Sequence, residues 1–188
     1  RKEAERIVRN LRAMLPAAPS SVANSSGIFL GEFAASDLAR PGAALYGINP
    51  TPEAPNPMRT VLTLEARILQ LHEIEAGESV GYNSTWVAAR PSLIATVAAG
   101  YADGYLRSLS GRGAGLVGGR QVPLAGRVSM DLLTFDVTDA PEANTGGFIR
   151  LIGPDLPPDA VAERAGTNAY EILTSLGARY RRLYRDRA

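Results

Sequence analysis

Residues 50–57 read Pro50-Thr51-Pro52-Glu53-Ala54-Pro55-Asn56-Pro57, and residues 62–68 read Leu62-Thr63-Leu64-Glu65-Ala66-Arg67-Ile68. The first stretch holds four prolines in eight residues. Each fixes φ and removes a backbone donor, which prevents a regular helix or a central strand. The second stretch alternates apolar and polar side chains, the pattern of a half-buried strand. Together they predict a boundary, with one domain over residues 1–57 including the linker and a second over residues 58–188.

Ahead of the linker, residues 1–15 have a helical pattern. Ile7, Val8, Leu11, Met14 and Leu15 share one face, and Pro16 and Pro19 stop the helix. No capping residue precedes this helix, and the chain begins inside charged helical sequence, which reads as a cut end. Two stretches with glycine punctuation follow, Ser21–Gly27 and Leu38–Gly47. Each is expected to be a strand ending in a turn, with Ile28–Ala35 as a helical link, the rhythm of β/α units. Two such units cannot close a sheet alone.

Beyond the linker the character changes. Leu93–Ala99 and Leu132–Val137 read as strands, and Ala76-Gly77, Gly118-Gly119 and Thr145-Gly146-Gly147 mark turns. Residues 59–153 are therefore expected to be mostly β. The end returns to helix, with Asn168 as N-cap, Glu171 at N3, an apolar face of Ala169, Ile172, Leu173 and Leu176, and Gly177 expected at C′. The fold class is α+β.

Composition excludes several classes. There is no cysteine, so the chain has no disulfide, thiolate metal site or cysteine nucleophile. The single histidine, His72, argues against a multi-histidine metal site, and its setting predicts a surface residue. The apolar fraction of 45% is too high for a disordered chain. No apolar run is long enough to span a bilayer as a helix, and Arg1–Arg6 is not followed by the apolar core of a signal peptide. The net charge is +1 and scattered, which speaks against nucleic acid. Arg179, Arg181, Arg182, Arg185 and Arg187 cluster at the end and read as a solvated tail or helix C-terminus. Of the 20 basic residues only Lys2 is a lysine.

Several local signals admit two readings. Gly113–Gly118 fits a dinucleotide-binding spacing, but Gly119 and Pro123 follow it where a helix should open, so a hairpin is expected. Asn24-Ser25 and Arg40-Pro41-Gly42 can cradle a phosphate through side chains and glycine amides, although local sequence alone favours ordinary turns. The seven tyrosines fit half-exposed sheet positions, and position alone does not make one a base. Asp103 and Asp131 are expected to serve turns.

Taken together, six stretches resemble the alanine racemase family, fold-type III pyridoxal-phosphate enzymes. They are Val22–Gly27, Arg40–Gly47, Val80–Trp86, Ala99–Tyr105, Gly126–Asp131 and Asn168–Leu173, in the family's order. The resemblance implies that residues 1–50 are the last β/α elements of a TIM-type barrel and that a mostly β C-terminal domain follows. It implies a racemase that interconverts L-alanine and D-alanine with pyridoxal 5′-phosphate and a tyrosine/lysine pair of bases. D-alanine would supply peptidoglycan in the cytoplasm.

By the same resemblance Tyr82 is the catalytic tyrosine. Arg40 hydrogen-bonds the pyridine nitrogen. A guanidinium only donates, so that nitrogen stays unprotonated and the ring is a weaker electron sink. Asn24, Ser25, Gly42, Ala43 and Tyr170 form the phosphate-binding set. The Met130 backbone N–H holds the substrate carboxylate, and Tyr101 narrows the entrance in favour of alanine. The family builds its sites across a homodimer, with no metal. Its cofactor lysine lies near the start of the barrel and matches nothing here, since Lys2 has the wrong position and neighbours. The expectation is a chain with the tyrosine half of the machinery, inactive alone. A broad-specificity amino-acid racemase and a non-catalytic module of the same fold are the alternatives.

Overall fold

The computed structural model describes residues 2–31 and 37–185. The chain divides into two compact units, Arg1–Val61 and Leu62–Ala188.

The first unit opens with helix α1, Lys2–Met14. Of its expected apolar face only Val8 is buried, while Ile7, Leu11, Met14 and Leu15 are exposed. An ion pair between Arg12 and Asp37 ties the helix to the following segment. Asp37 also accepts from the Ser20 amide at 2.8 Å and the Ser20 hydroxyl at 2.7 Å. These donors, and then the Arg12 guanidinium, hold the Asp37 carboxyl down to about 2.

Two local expectations are corrected here. Ser21–Gly27 is not a strand, because the Asn24 side chain accepts from the Gly27 amide at 2.9 Å and starts helix α2, Ser25–Phe29. Among the described residues, the strand-type pairing between the two segments expected as strands is one isolated parallel bridge, Asn24 to Arg40. Within Leu38–Gly47, Ala43–Tyr46 forms a 3₁₀ turn. Part of the expected 28–35 link lies outside the described residues. In the proline stretch, asparagine side chains supply the bonds that prolines cannot make. Asn56 donates to the Gly47 carbonyl and Asn49 to the Ala54 carbonyl, each at 2.9 Å.

The second unit is mostly β. Its strands are β1 Leu64–Ile74, β2 Ser79–Val80, β3 Trp86–Val87, β4 Ser92–Val97, β5 Ala114–Val117, β6 Arg120–Pro123, β7 Leu133–Asp136 and β8 Phe148–Ile152. Six form one antiparallel sheet in the order β6-β5-β8-β1-β4-β7, and β2 pairs with β3. A bridge between Leu124 and Phe135 joins the two edges, so the sheet curls towards closure and leaves little free edge. Alternation along β1 and β7 aims Leu64, Ala66, Ile68, Leu133 and Phe135 inward. They pack with the fully buried Val97, Ile149 and Leu151.

Gly118 and Gly119, with φ of 56° and 81°, make the two-residue turn between β5 and β6. Both positions need the left-handed region that glycine enters without steric cost. The dinucleotide-like spacing therefore lies on a hairpin strand and opens no helix, as expected. His72 sits exposed on β1.

Helices α3, Pro158–Ala165, and α4, Ala169–Ser175, close the unit. Asn168 caps α4 by accepting from the Glu171 amide at 3.1 Å. The Glu171 carboxylate turns to the Thr167 hydroxyl. Gly177 is not a left-handed C′ residue, because Leu176 is already extended and Gly177 donates to the Asp103 carbonyl at 3.1 Å. The arginine cluster therefore follows the helix end. Arg181, Arg182 and Arg185 are exposed, Arg179 is paired as described below, and Arg187 lies outside the described residues. Among the described residues no helix is long and apolar enough to cross a membrane, and no acidic or histidine cluster could hold a metal.

Candidate active site

In the second unit, Tyr82, Tyr101 and Met130 come together. They line one cleft of about 630 Å³ with Arg107, Arg127, Val128 and Ser129. Tyr82 stands at the tip of the β2–β3 hairpin and is 68% exposed. The two residues after it, Asn83 and Ser84, have φ of 62° and 49°. That costs about 1–2 kcal/mol for each non-glycine residue. A Ser79–Ser84 hydroxyl bond of 2.9 Å helps to hold the curl. The phenol is thus presented outward on a tightly turned support.

Tyr101 begins a 3₁₀ turn, Tyr101–Asp103, that lies directly on the segment carrying Met130. The Tyr101 and Ala102 amides donate to the Ser129 and Met130 carbonyls, each at 3.0 Å. A Cβ on Gly100 would sit 2.2 Å from the Met130 carbonyl oxygen, so this approach requires glycine. The Met130 N–H donates to no acceptor among the described residues and remains available to a ligand. Arg107 and Arg127 have no ion-pair partner among the described residues. With two unpaired guanidinium groups on its wall, the cleft suits an anion such as a carboxylate.

Behind the cleft, Asp103 is 7% exposed and accepts from the Gly100 amide at 2.8 Å. This is the turn role expected of it. Arg179 reaches Asp103 at 3.2 Å and Asp131 at 2.7 Å. Those two carboxylates, Asp131 first, raise the already high guanidinium pKa. Tyr105 is buried, and burial pushes its phenol well above the ordinary range. Burial, together with the Asp103 charge, pushes Tyr180 up to about 12, and its hydroxyl has no hydrogen-bond partner among the described residues.

On unfolding, both phenols ionise near their usual 10.0. The unfolded chain then holds fewer protons than the folded one as pH rises from 10 through 12, and stability falls over that window. Denaturation of the chain at a series of alkaline pH values should show this fall. Tyr180→Phe should lessen the slope while the part due to Tyr105 remains, and an equal slope in the variant would contradict the assignment.

In the first unit, Ser25 is 2% exposed. Its hydroxyl oxygen accepts from the Gly42 amide at 3.0 Å and the Ala44 amide at 3.2 Å, leaving its own proton to give. The N–H groups of Ser26 and Ala43 meet no acceptor among the described residues. A hydroxyl and two open amides at one place suit a phosphate oxygen set. Asn24 uses its side-chain oxygen as the α2 cap. Arg40 is anchored to the Ser21 carbonyl at 2.7 Å and the Ser21 hydroxyl at 2.8 Å. Tyr170, in the second unit, stands 47% exposed on α4.

Sequence reasoning missed Arg107, Arg127 and Arg179 as members of these groupings. Arg107 carries no local signature beyond its charge, Arg127 lies in the Gly126–Asp131 stretch but draws no role of its own from it, and Arg179 sits in a basic end whose pattern predicts a solvated tail.

A mostly β unit with a tyrosine-and-arginine cleft thus follows a helical unit with a phosphate-suited cradle. Comparisons make this specific. The alanine racemase C-terminal domain family matches residues 61–184, and the alanine racemase N-terminal domain family matches residues 1–50. The chain belongs to the alanine racemase family. It is 60% identical over 174 residues to an alanine racemase of Acidiphilium cryptum, covering 93% of this chain and 49% of that protein. It is 57% identical over 174 residues to one of Rhodospirillum rubrum, covering 92% and 46%. The crystal structure of alanine racemase from Bartonella henselae with covalently bound pyridoxal phosphate is similar, with a TM-score of 0.89 and 42% identity. The match covers 97% of this chain and 51% of that one. The chain thus spans about half the length of the curated relatives it matches.

Proposed function

We propose that the chain supplies the C-terminal half of an alanine racemase that interconverts L-alanine and D-alanine with pyridoxal 5′-phosphate. The observation that carries this reading is the convergence of Tyr82, Tyr101 and the free Met130 N–H on one cleft, in a chain of this family. The first unit also fits the cofactor. The Ser25 hydroxyl and the open amides at residues 26 and 43 are suited to its phosphate, with Gly42 and Ala44 holding Ser25 in place. Asn24 and Tyr170 belong to the same proposed set, and Arg40 would donate to the pyridine nitrogen. When bound, the cofactor withdraws electrons from the substrate's α-carbon and so makes its proton removable.

The chain's own residues would do the rest. The Met130 N–H and the neighbouring arginines hold the carboxylate. Tyr101 restricts the room beside the α-carbon to a small side chain. The Tyr82 phenol oxygen takes or returns the proton on one face. A proton on the opposite face needs a second base. We assign that role to a lysine other than Lys2, which stands exposed in α1. The resemblance further supports a homodimer in which the second unit of one protomer serves the first unit of its partner. Peptidoglycan supply from the cytoplasm completes the reading.

The test is chiral product analysis with the full-length racemase that carries this sequence, loaded with the cofactor. L-alanine should be racemised in clear preference to serine, lysine and arginine. Equal turnover of the larger substrates would replace this reading with that of a broad-specificity racemase, and no turnover at all would overturn it.

A further inference from the structure

The C-terminal segment after α4 holds an arrangement that the proposed chemistry does not use. Arg179 places its Nε 3.2 Å from Asp103 Oδ1 and one Nη 2.7 Å from Asp131 Oδ1. One guanidinium thus grips two carboxylates from different segments of the chain. Asp103 belongs to the turn that begins with Tyr101, and Asp131 directly follows Met130.

These are also the two segments joined by the Tyr101-to-Ser129 and Ala102-to-Met130 backbone bonds. The same end of the chain is fastened beside them. The Gly177 amide donates to the Asp103 carbonyl at 3.1 Å, and the Ser175 carbonyl presses against Gly104. Arg179 is absent from the cleft lining. The Asp103 side chain is 9% exposed and those of Arg179 and Asp131 are about half exposed, so one carboxylate of the bridge is anchored inside the fold. A planar, forked donor suits this geometry, because it fixes the distance between two acceptors in a way that a lysine ammonium does not.

We propose that Arg179 is a positioning residue that sets the spacing of Tyr101 and Met130, and through it the substrate affinity and side-chain selectivity of the cleft. The proposal rests on reading that cleft as the racemase's substrate site. Its consequence is specific. Loosening the clamp lets the Tyr101 turn move away from the Met130 amide, which weakens the hold on the carboxylate and widens the space for the side chain. Tyr82 is on a separate hairpin, so proton transfer itself is left nearly intact.

The experiment uses the full-length racemase and three variants, Arg179→Met, Arg179→Lys and Asp131→Asn. Arg179→Met should raise KM for L-alanine about fivefold and lower the alanine-over-serine preference by a similar factor, while kcat changes by less than about twofold. Arg179→Lys should recover part of the loss. Asp131→Asn, at an exposed position, should move KM the same way, and the Arg179→Met/Asp131→Asn double variant should lose less than the two single losses combined. Hydrogen exchange at the Tyr101 and Ala102 amides reads the same junction without turnover, and it should quicken in Arg179→Met. Unchanged KM, selectivity and exchange would overturn the proposal. So would a loss of kcat that only follows the fraction unfolded. A wild-type enzyme without alanine racemisation would instead refute the functional reading, and the exchange measurement would still decide whether Arg179 clamps the two segments.

Discussion

Replacing Tyr82 by phenylalanine in the full-length racemase should lower turnover of L-alanine on the order of 10²–10⁴-fold, the range expected when a positioned acid–base group is removed. The change deletes one oxygen. The ring can stay where it is, 68% exposed at the tip of the β2–β3 hairpin, with no buried partner left unsatisfied. Stability should therefore move by less than about 0.5 kcal/mol, as for other surface substitutions. KM should change little, because the carboxylate contacts assigned to Met130 and the arginines remain. Steady-state kinetics with L-alanine, together with a thermal melt, separates these quantities. Turnover within a few fold of the wild type would remove Tyr82 from the chemistry and favour the reading of a non-catalytic module.

The second large effect is structural. Gly104→Ala should destabilise the second unit by about 2–4 kcal/mol, from two costs that both fall on this residue. Its φ is +94°, which a side chain tolerates poorly, and an added Cβ would lie 1.9 Å from the Ser175 carbonyl oxygen. The neighbour is backbone at the end of α4 and cannot rotate away. Either α4 separates from the Tyr101–Asp103 turn or the turn itself shifts. Denaturant unfolding of wild type and variant measures the loss. Because the turn carries Tyr101 and Asp103, KM for L-alanine should rise in whatever fraction stays folded. A loss below about 0.5 kcal/mol would show that this contact is looser than described.

Much of this candidate site is legible in the sequence. The family resemblance points to Tyr82, Tyr101 and Met130, and the structure gathers all three at one cleft. The resemblance points to Asn24 and Ser25 as well, but local sequence makes them the end of a strand. The Asn24 side chain is a helix cap, and a single hydrogen bond to Gly27 decides between the two readings. Glycine at position 27 suggested a turn, whereas in the fold it lies inside α2. Gly177 misled in the same way. A glycine after an apolar helical face usually marks a left-handed stop, but here the backbone extends early to meet the Asp103 carbonyl.

The sequence by itself determined what depends on near neighbours. Alternation set β1 and β7, two glycines set the β5–β6 turn, and Asn168 set the start of α4, because side-chain period, φ preference and capping act over a few residues. Only the tertiary structure decided that Arg107 and Arg127 face the cleft with no ion-pair partner among the described residues, and that Arg179 leaves an apparently solvated basic end to hold Asp103 and Asp131. Charge attraction has no sequence period. Which carboxylate an arginine finds depends on where the strands, the Tyr101 turn and the end of α4 have already brought the backbone.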